Sequence, residues 1–485
     1  MRALAITLGC AVIVGCASVD PYQPPPVAQR LQLDDALGDC ARLFQASDAL
    51  IDAAGTRDAQ APRLAGFPHL RVDRSLALLA TSADVANDAP RANEWTAALA
   101  ALDDSARRIE LRNAGQHDAE AAAALAACRR LLARADRQQL AALLAAAQVA
   151  DDYSTTQRAL GLYTLTRYAF AAGIRRWQRD TLADFAAAAG ASGRASLPQV
   201  AYSPAAPLGA LPRLPLAPQL GLPPIPPERL AALLVRHAPR LLIATADDND
   251  RPGALAWQSD NGALRIGIAV EQPVLYARAA YTRMGGRWLL QLVYSAWFSA
   301  RPPAHALDVV AGRLDGLLWR VTLADDGAPL VYDSIHPCGC YHLFIPTERA
   351  RARPQPETMD EGAFVPQSVR APAADERVVL HLASGTHYLQ RVDIAPAGGD
   401  DGVRLALLDD DQLRALPLPA GGTRSAFGPD GLIAGSERAE RFYFWPMGIA
   451  SAGQMRQWGR HATAFVGRRH FDDPTLIDRS FERLP

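Results

Sequence analysis

The chain has 485 residues, with 50 Lys and Arg against 51 Asp and Glu, and a formal net charge of −1 at pH 7. This length predicts two to three domains, and so balanced a charge argues against nucleic acid as a partner. The sequence contains no lysine, which excludes Schiff-base chemistry, the P-loop and the Ser-x-x-Lys nucleophile.

The N-terminus has the pattern of an export signal. Arg2 precedes an apolar run over residues 3–14. The run is too short for a bilayer core of ~30 Å, which needs roughly 20 residues, but it suits a secretory signal peptide. The sequence therefore predicts export.

The four residues IVGC at positions 13–16 resemble a bacterial lipobox. The resemblance implies that a signal peptide, residues 1–15, is removed and that Cys16 becomes an acylated N-terminus on a tether, residues 16–28. Ala17 in place of Asp implies the outer membrane, with the chain facing the periplasm. Several acyl chains on one cysteine would anchor it stably. The alternative is an ordinary signal peptide that is cleaved elsewhere.

Residues 29–190 carry apolar side chains every three or four positions, which predicts a bundle of helices with apolar faces turned inward. Asp34, Asn93 and Asp118 stand where helix N-caps are expected. Cys40 and Cys128 each fall on an apolar helix face.

Export to an oxidising compartment permits disulfides. A disulfide between Cys40 and Cys128 would stabilise the helical domain by ~2–4 kcal/mol. Two separate buried thiols are the alternative at these positions.

Residues 191–227 are rich in proline and leucine, which predicts a semi-rigid linker. The periodicity then changes to that of strands separated by turn residues such as SDNG and ADDG. Residues 228–485 are therefore expected to form a mostly antiparallel β domain, giving an α+β multidomain chain. The predicted strands are 253–257, 263–270, 273–283, 287–298, 317–323, 329–335, 377–383 and 386–392.

One stretch, DSIHPCGCYH at residues 333–342, concentrates the residue types that bind metals. Its candidate ligands are His336, Cys338, Cys340 and His342. In a straight strand the outer two would lie ~20 Å apart, whereas zinc ligands lie ~2.0–2.3 Å from the ion. The chain must therefore turn, and Pro337 and Gly339 are suited to a turn.

A second pair, His381 and His387, would supply further ligands. If Ala383 to Gly385 form a three-residue turn with Gly385 in the left-handed region, the two histidines face each other across a hairpin. Cross-strand Cβ separations of ~4.5–5.5 Å suit two ligands of one metal. The cysteines would favour zinc or copper.

Two other interpretations of the Cys-Gly-Cys segment stay open. Cys338 and Cys340 would form a strained disulfide in an oxidising compartment, alone or beside a metal site made of histidines. Otherwise they are buried thiols among structural histidines.

These features support two main functional hypotheses, beside a third, thiol–disulfide exchange, which would need a thiol with a lowered pKa. The first is a metal-dependent hydrolase, with the metal activating water and Asp333 or Glu348 as acid and base. The second is a non-enzymatic module that binds or assembles an envelope protein, with a Cys338–Cys340 disulfide. The sequence has no H-E-x-x-H, G-x-S-x-G or G-x-G-x-x-G motif, so zincin, α/β-hydrolase and dinucleotide-binding functions lose support.

Overall fold

The computed structural model describes residues 20–190, 197–204, 220–222, 225–260, 262–355, 358–397 and 402–484. Over these residues the chain has the predicted α+β architecture, with an N-terminal helical region and a large curled sheet. The predicted signal peptide and Cys16 lie outside the described residues.

The helical segments begin in the N-terminal region and recur beside the sheet. They are α1 (Pro25–Arg30), α2 (Ala36–Ala54), α3 (Arg74–Ala80), α4 (Ala83–Asn87), α5 (Ala89–Asn113), α6 (Ala119–Ala135), α7 (Leu140–Ala146), α8 (Thr155–Leu160), α9 (Tyr163–Gly190), α10 (Pro227–His237), α11 (Arg441–Phe444) and α12 (Leu476–Ser480).

Several helices begin directly after a residue whose side chain accepts hydrogen bonds from the first free backbone N–H groups of the helix. Asp118 caps α6 as predicted, accepting from the Glu120 amide at 2.9 Å. The other two predicted caps are displaced. Asp35 caps α2, and Asp88 caps α5 five residues before Asn93, because a proline at the start of α5 suits its first turn.

The strands are short in the helical region and long in the C-terminal half. They are β1 (Arg63–Leu64), β2 (Phe67–Arg71), β3 (Gln199–Pro204), β4 (Arg240–Ala244), β5 (Ala254–Asp260), β6 (Ala263–Ala269), β7 (Val274–Met284), β8 (Arg287–Arg301), β9 (Gly312–Leu323), β10 (Pro329–Ile335), β11 (Leu343–Pro346), β12 (Ala350–Ala352), β13 (Glu376–Leu382), β14 (Leu389–Pro396), β15 (Val403–Asp409), β16 (Leu416–Pro417), β17 (Thr423–Arg424) and β18 (Phe481–Arg483).

Ten of these strands form one sheet in the order β11-β10-β9-β8-β7-β15-β3-β4-β13-β14. Neighbours are antiparallel except for the parallel pairs β7/β15, β15/β3 and β4/β13. Strand β3 corrects one expectation, because it lies inside the stretch predicted to be linker. It pairs with β4 in antiparallel register and buries Tyr202. Its side chains therefore pack in the fold, although the composition around the strand is proline-rich.

The sheet is curled around a core of aromatic and aliphatic side chains. Trp319 and Tyr332 stack at 5.0 Å between ring centroids, and Tyr294 and Phe298 are fully buried beside them. The long strands β8 and β9 have nearly continuous buried faces, because helices and loops cover both sides of the sheet at this point.

The helical region has a charged centre as well as an apolar core. Asp103 is completely buried and accepts from Arg71 at 3.2 Å, from Arg107 at 3.0 Å and from Arg129 at 2.8 Å. Burial raises the pKa of Asp103, but these guanidinium groups outweigh it and hold the pKa well below its usual range. The predicted Cys40–Cys128 disulfide is confirmed and joins α2 to α6.

The helical region and the sheet domain share buried contacts. The Tyr153 hydroxyl donates to the Ala464 carbonyl at 2.9 Å. Arg74 pairs with Asp472 at 3.1 Å, and Arg414 pairs with Asp58. No helix among the described residues combines the length and the hydropathy that a membrane span needs.

Candidate functional site

The predicted turn within residues 333–342 is confirmed. The His336 amide donates to the Cys340 carbonyl at 3.0 Å, and the Gly339 amide donates to the His336 carbonyl at 2.8 Å. Gly339 has φ +92°, and a Cβ there would lie 2.3 Å from the Ala462 carbonyl oxygen. Only glycine fits, because both the backbone conformation and the space exclude a side chain.

The turn places two free thiols side by side in the interior. Cys338 and Cys340 are both buried and unbonded, so the predicted disulfide between them is not formed. A hydrogen bond between the thiols lowers the pKa of Cys338, and the same bond together with burial raises the pKa of Cys340. The structure therefore corresponds to the interpretation of buried thiols.

His336 and His387 meet at a shared carboxylate that the sequence does not predict. Asp315 contacts the Nδ1 atom of His336 at 3.1 Å and the Nδ1 atom of His387 at 2.9 Å. Arg438 donates to the same carboxylate at 3.2 Å. Despite burial, His336 and Arg438 hold the pKa of Asp315 well below its usual range.

The shared carboxylate acts differently on the two imidazoles. Burial lowers the pKa of His336, and Asp315 compensates only in part. Burial also opposes the charged form of His387, but hydrogen bonds to Asp250 and Asp315 outweigh it and raise the pKa of that histidine. Such alternating acids and bases stabilise one another in a dry interior.

The other two candidate histidines lie against different carboxylates. His342 Nε2 contacts Asp333 at 2.8 Å, and Asp333 also accepts from Arg320 at 2.6 Å. His381 is partly exposed and contacts Asp393 at 2.9 Å. The Asp333 carboxylate is thus contacted by both His342 and Arg320.

The predicted hairpin contact between His381 and His387 is wrong. Gly385 has the expected positive φ of 69°, but the turn is longer than three residues, since the Ala383 amide donates to the Tyr388 carbonyl at 3.0 Å. Arg391 therefore stands opposite His381. His387 lies within the turn itself, stacked on Phe298 at 4.0 Å.

Over the described ranges, no group of three or more His, Cys, Asp or Glu side chains is arranged to hold a metal ion. The six predicted ligands, His336, Cys338, Cys340, His342, His381 and His387, are instead divided among four carboxylates and a thiol pair. The zinc or copper site stays a prediction of the sequence pattern.

Beside this turn lies a cavity of about 380 Å³, which we call the α9 cavity. One wall is the face of α9 that carries Phe170, Gly173 and Trp177, and the opposite wall includes Cys340 and Tyr341. Trp177 packs against Tyr341 at 5.6 Å between ring centroids. A volume of this size falls within the range of small-molecule sites, roughly 300–1,000 Å³.

The walls of the α9 cavity are mainly aromatic. Phe444 and Phe465 lie 5.0 Å apart edge to face, and Phe170 lies 5.3 Å from Phe444. These rings come from α9, α11 and the loop that precedes residue 470. They supply a large apolar surface and π faces that attract a cationic group.

Glu440 is the unusual polar group of the cavity. It is 2% exposed, and the described residues give its carboxylate no hydrogen bond, only the charges of Arg438 and Arg301 nearby. Burial raises its pKa to about 7, although Arg438 and Arg301 partly oppose this rise. An ionisable group without a protein partner in a cleft is typical of functional sites.

Further polar residues line the same cavity, among them His342 and Glu361. Burial lowers the pKa of His342 to about 3, so its imidazole is neutral. Since Nε2 donates to the Asp333 carboxylate, Nδ1 is an acceptor, and no partner for it is found within the described chain. Glu361 is satisfied, because its carboxylate accepts from the Phe465 and Val466 amides.

Sequence reasoning identified Cys340 and His342 but missed Glu440, Trp177 and Asp315. No motif indicates these three residues. The only available signal was the aromatic cluster RFYFW directly after Glu440, and this cluster is also typical of an ordinary core.

Comparisons of the chain with protein-family models, with curated proteins and with solved structures find no match. The α9 cavity and its acceptor groups are therefore the features of this chain that point to a function.

Proposed function

We propose that this chain is a lipoprotein, anchored by acylated Cys16 in the outer membrane and facing the periplasm, whose body binds an amphiphilic small molecule in the α9 cavity. This proposal makes the binding-module hypothesis more specific, because it names a small molecule as the ligand. It differs from that hypothesis because Cys338 and Cys340 remain thiols instead of forming a disulfide. The metal-dependent hydrolase has only the sequence pattern in its favour.

The observation that carries the proposal is the unpartnered Glu440 carboxylate at the wall of an aromatic cavity. Burying a carboxylate without a hydrogen bond costs several kcal/mol. A folded protein retains such a group where a ligand supplies the missing partner.

The acceptor groups define the polar end of the ligand. The Glu440 carboxylate and the Nδ1 atom of His342 both accept hydrogen bonds, so the ligand should donate them. A protonated amine on an apolar body satisfies the carboxylate and is also attracted to the surrounding π faces. Above pH 7, where Glu440 is ionised, a ligand that ends in a carboxylate would be repelled by Glu440.

The test is a fluorescence titration of the purified chain with dodecylamine and with dodecanoic acid, which have the same chain length. We expect dodecylamine to quench Trp177 and to bind at least tenfold more tightly, since a charge-assisted hydrogen bond contributes about 1.5–3 kcal/mol. Equal affinities would contradict the role of Glu440.

A cavity-filling variant tests the place of binding. A Cβ added at Gly173 meets no atom within 4 Å, so the side chain of Gly173→Leu has room to start into the cavity that Gly173 lines. Ala172→Leu on the exposed side of α9 is the matched control. Binding should be lost in the first variant and kept in the second, whereas loss in neither would overturn the assignment of the site.

A further inference from the structure

A second feature outside the cavity is a group of apolar side chains that point into solvent. We call it the apolar surface; its members are Leu160, Leu162, Leu165, Tyr168, Phe442, Tyr443 and Trp445. Leu165 is 66% exposed and Phe442 is 67% exposed. Isolated exposed leucines are ordinary, but a contiguous group marks an interaction site.

The two halves of the apolar surface are in contact although they are distant in sequence. Gly161 packs so closely on Pro446 that a Cβ would lie 2.5 Å from the proline Cβ. Arg158 donates to the Met447 carbonyl at 2.9 Å, which fixes α8 against the segment after α11. The exposed side chains on both sides of this contact therefore form one patch.

A strained backbone conformation contributes to the exposure of the apolar surface. Leu162, between α8 and α9, has φ +48°, a conformation that costs a leucine roughly 1–2 kcal/mol. The resulting bend leaves both Leu162 and Leu165 exposed. A strained residue that exposes apolar surface points to a function rather than to stability.

The charge around the patch indicates what covers it. Residues 155–179 contain arginines at 158, 167, 175, 176 and 179 and no Asp or Glu, and Asp180, which follows them, pairs with Arg176 at 3.8 Å. The Arg441 guanidinium lies 4.8 Å from the Phe442 ring centroid, and that of Arg167 lies 5.6 Å from the Tyr168 centroid. Apolar side chains with an aromatic and cationic rim suit the headgroup region of an anionic bilayer.

We propose that the apolar surface docks onto an anionic lipid bilayer. The proposal shares with the proposed function only the anchor at Cys16. Asp20 lies four residues after Cys16, so an acylated Cys16 would hold it within roughly 14 Å of the membrane. In this arrangement Arg167 and Arg441, at the rim of the apolar surface, contact lipid phosphates. The apolar side chains enter the headgroup region of the bilayer.

The test uses the full chain, purified with its anchor and reconstituted into vesicles of phosphatidylglycerol with bromine on the acyl chains. Bromine quenches tryptophans that reach the bilayer. Trp445 is 40% exposed in the patch, so the wild type should be quenched, and Trp445→Phe should lose at least half of that quenching. Brominated phosphatidylcholine should quench the wild type at least twofold less.

A matched pair of variants controls for general surface polarity. Leu162→Gln/Leu165→Gln should reduce the quenching of Trp445 at least twofold, whereas Leu264→Gln/Leu307→Gln, at exposed sites elsewhere, should not. A chain that floats with the vesicles but whose Trp445 is not quenched by bromine overturns the docking surface and leaves the anchor intact. A chain that does not float overturns both.

Discussion

At the scale of single residues, Glu440 connects the cavity to a measurable pH dependence. Its pKa is raised from 4.5 to about 7, so the unfolded chain ionises before the folded one does. The folded state therefore loses stability as the pH rises from 4.5 to 7, on the order of 3 kcal/mol. Glu440→Gln removes this loss.

The expected result is that Glu440→Gln gains stability relative to the wild type between pH 5 and pH 8, measured by urea unfolding at both pH values. Glu271→Gln, at an exposed site, is the control and should follow the wild type. A constant difference between Glu440→Gln and the wild type across this range would show that the carboxyl is not buried as described.

Gly453 gives a second prediction at this scale. A Cβ at Gly453 would lie 1.9 Å from the Glu440 Oε1 atom, whereas at Gly435 it would meet nothing within 4 Å. Both glycines have φ above +80°, so alanine strains both backbones equally. Gly453→Ala should cost more than Gly435→Ala, by up to about 1.5 kcal/mol, because it also displaces the end of the Glu440 side chain. Thermal unfolding of the two variants measures the difference; equal losses would place Glu440 elsewhere.

At the scale of elements, the disulfide between α2 and α6 is the clearest constraint. It joins residues 88 positions apart, so it restricts a long loop of the unfolded chain. Cys40→Ser/Cys128→Ser should lower the free energy of unfolding by ~2–4 kcal/mol. Reductant should destabilise the wild type and leave the double variant unchanged. If reductant has no effect on the wild type, the bond is not formed.

The buried arginine network gives another prediction for the same helices. Asp103→Ala leaves three guanidinium groups in the interior without their shared carboxylate, which should cost ~3–5 kcal/mol. Its neighbour Asp104 is 40% exposed, so Asp104→Ala should cost less than ~1 kcal/mol. Urea unfolding of both variants checks the contrast, and similar values would contradict the network.

The elements themselves could largely be predicted from the sequence, because local rules determine them. The alternation of apolar residues located strands β5 to β10, and the Pro337–Gly339 turn followed from the conformations these residues prefer. Strand β3 could not be predicted, since proline-rich composition masked its pairing with β4 and β15. Its packing depends on strands distant in sequence.

At the scale of the whole molecule, the candidate site could be predicted only in part. Cys340 and His342 were expected to belong to a site, and they line the α9 cavity. Trp177 lies 163 residues before Cys340, and Glu440 lies 100 residues after it. Residue patterns within a short stretch of sequence carry no information about contacts between residues this far apart. Each histidine likewise contacts a carboxylate that sequence spacing does not reveal.

Native mass spectrometry of the full chain purified from the cell envelope would reveal an amphiphilic ligand held in the α9 cavity. We expect an excess mass on the wild type that is retained in Ala172→Leu and absent in Gly173→Leu. An excess mass that persists in Gly173→Leu, or no bound mass together with no binding of dodecylamine, would contradict the proposal.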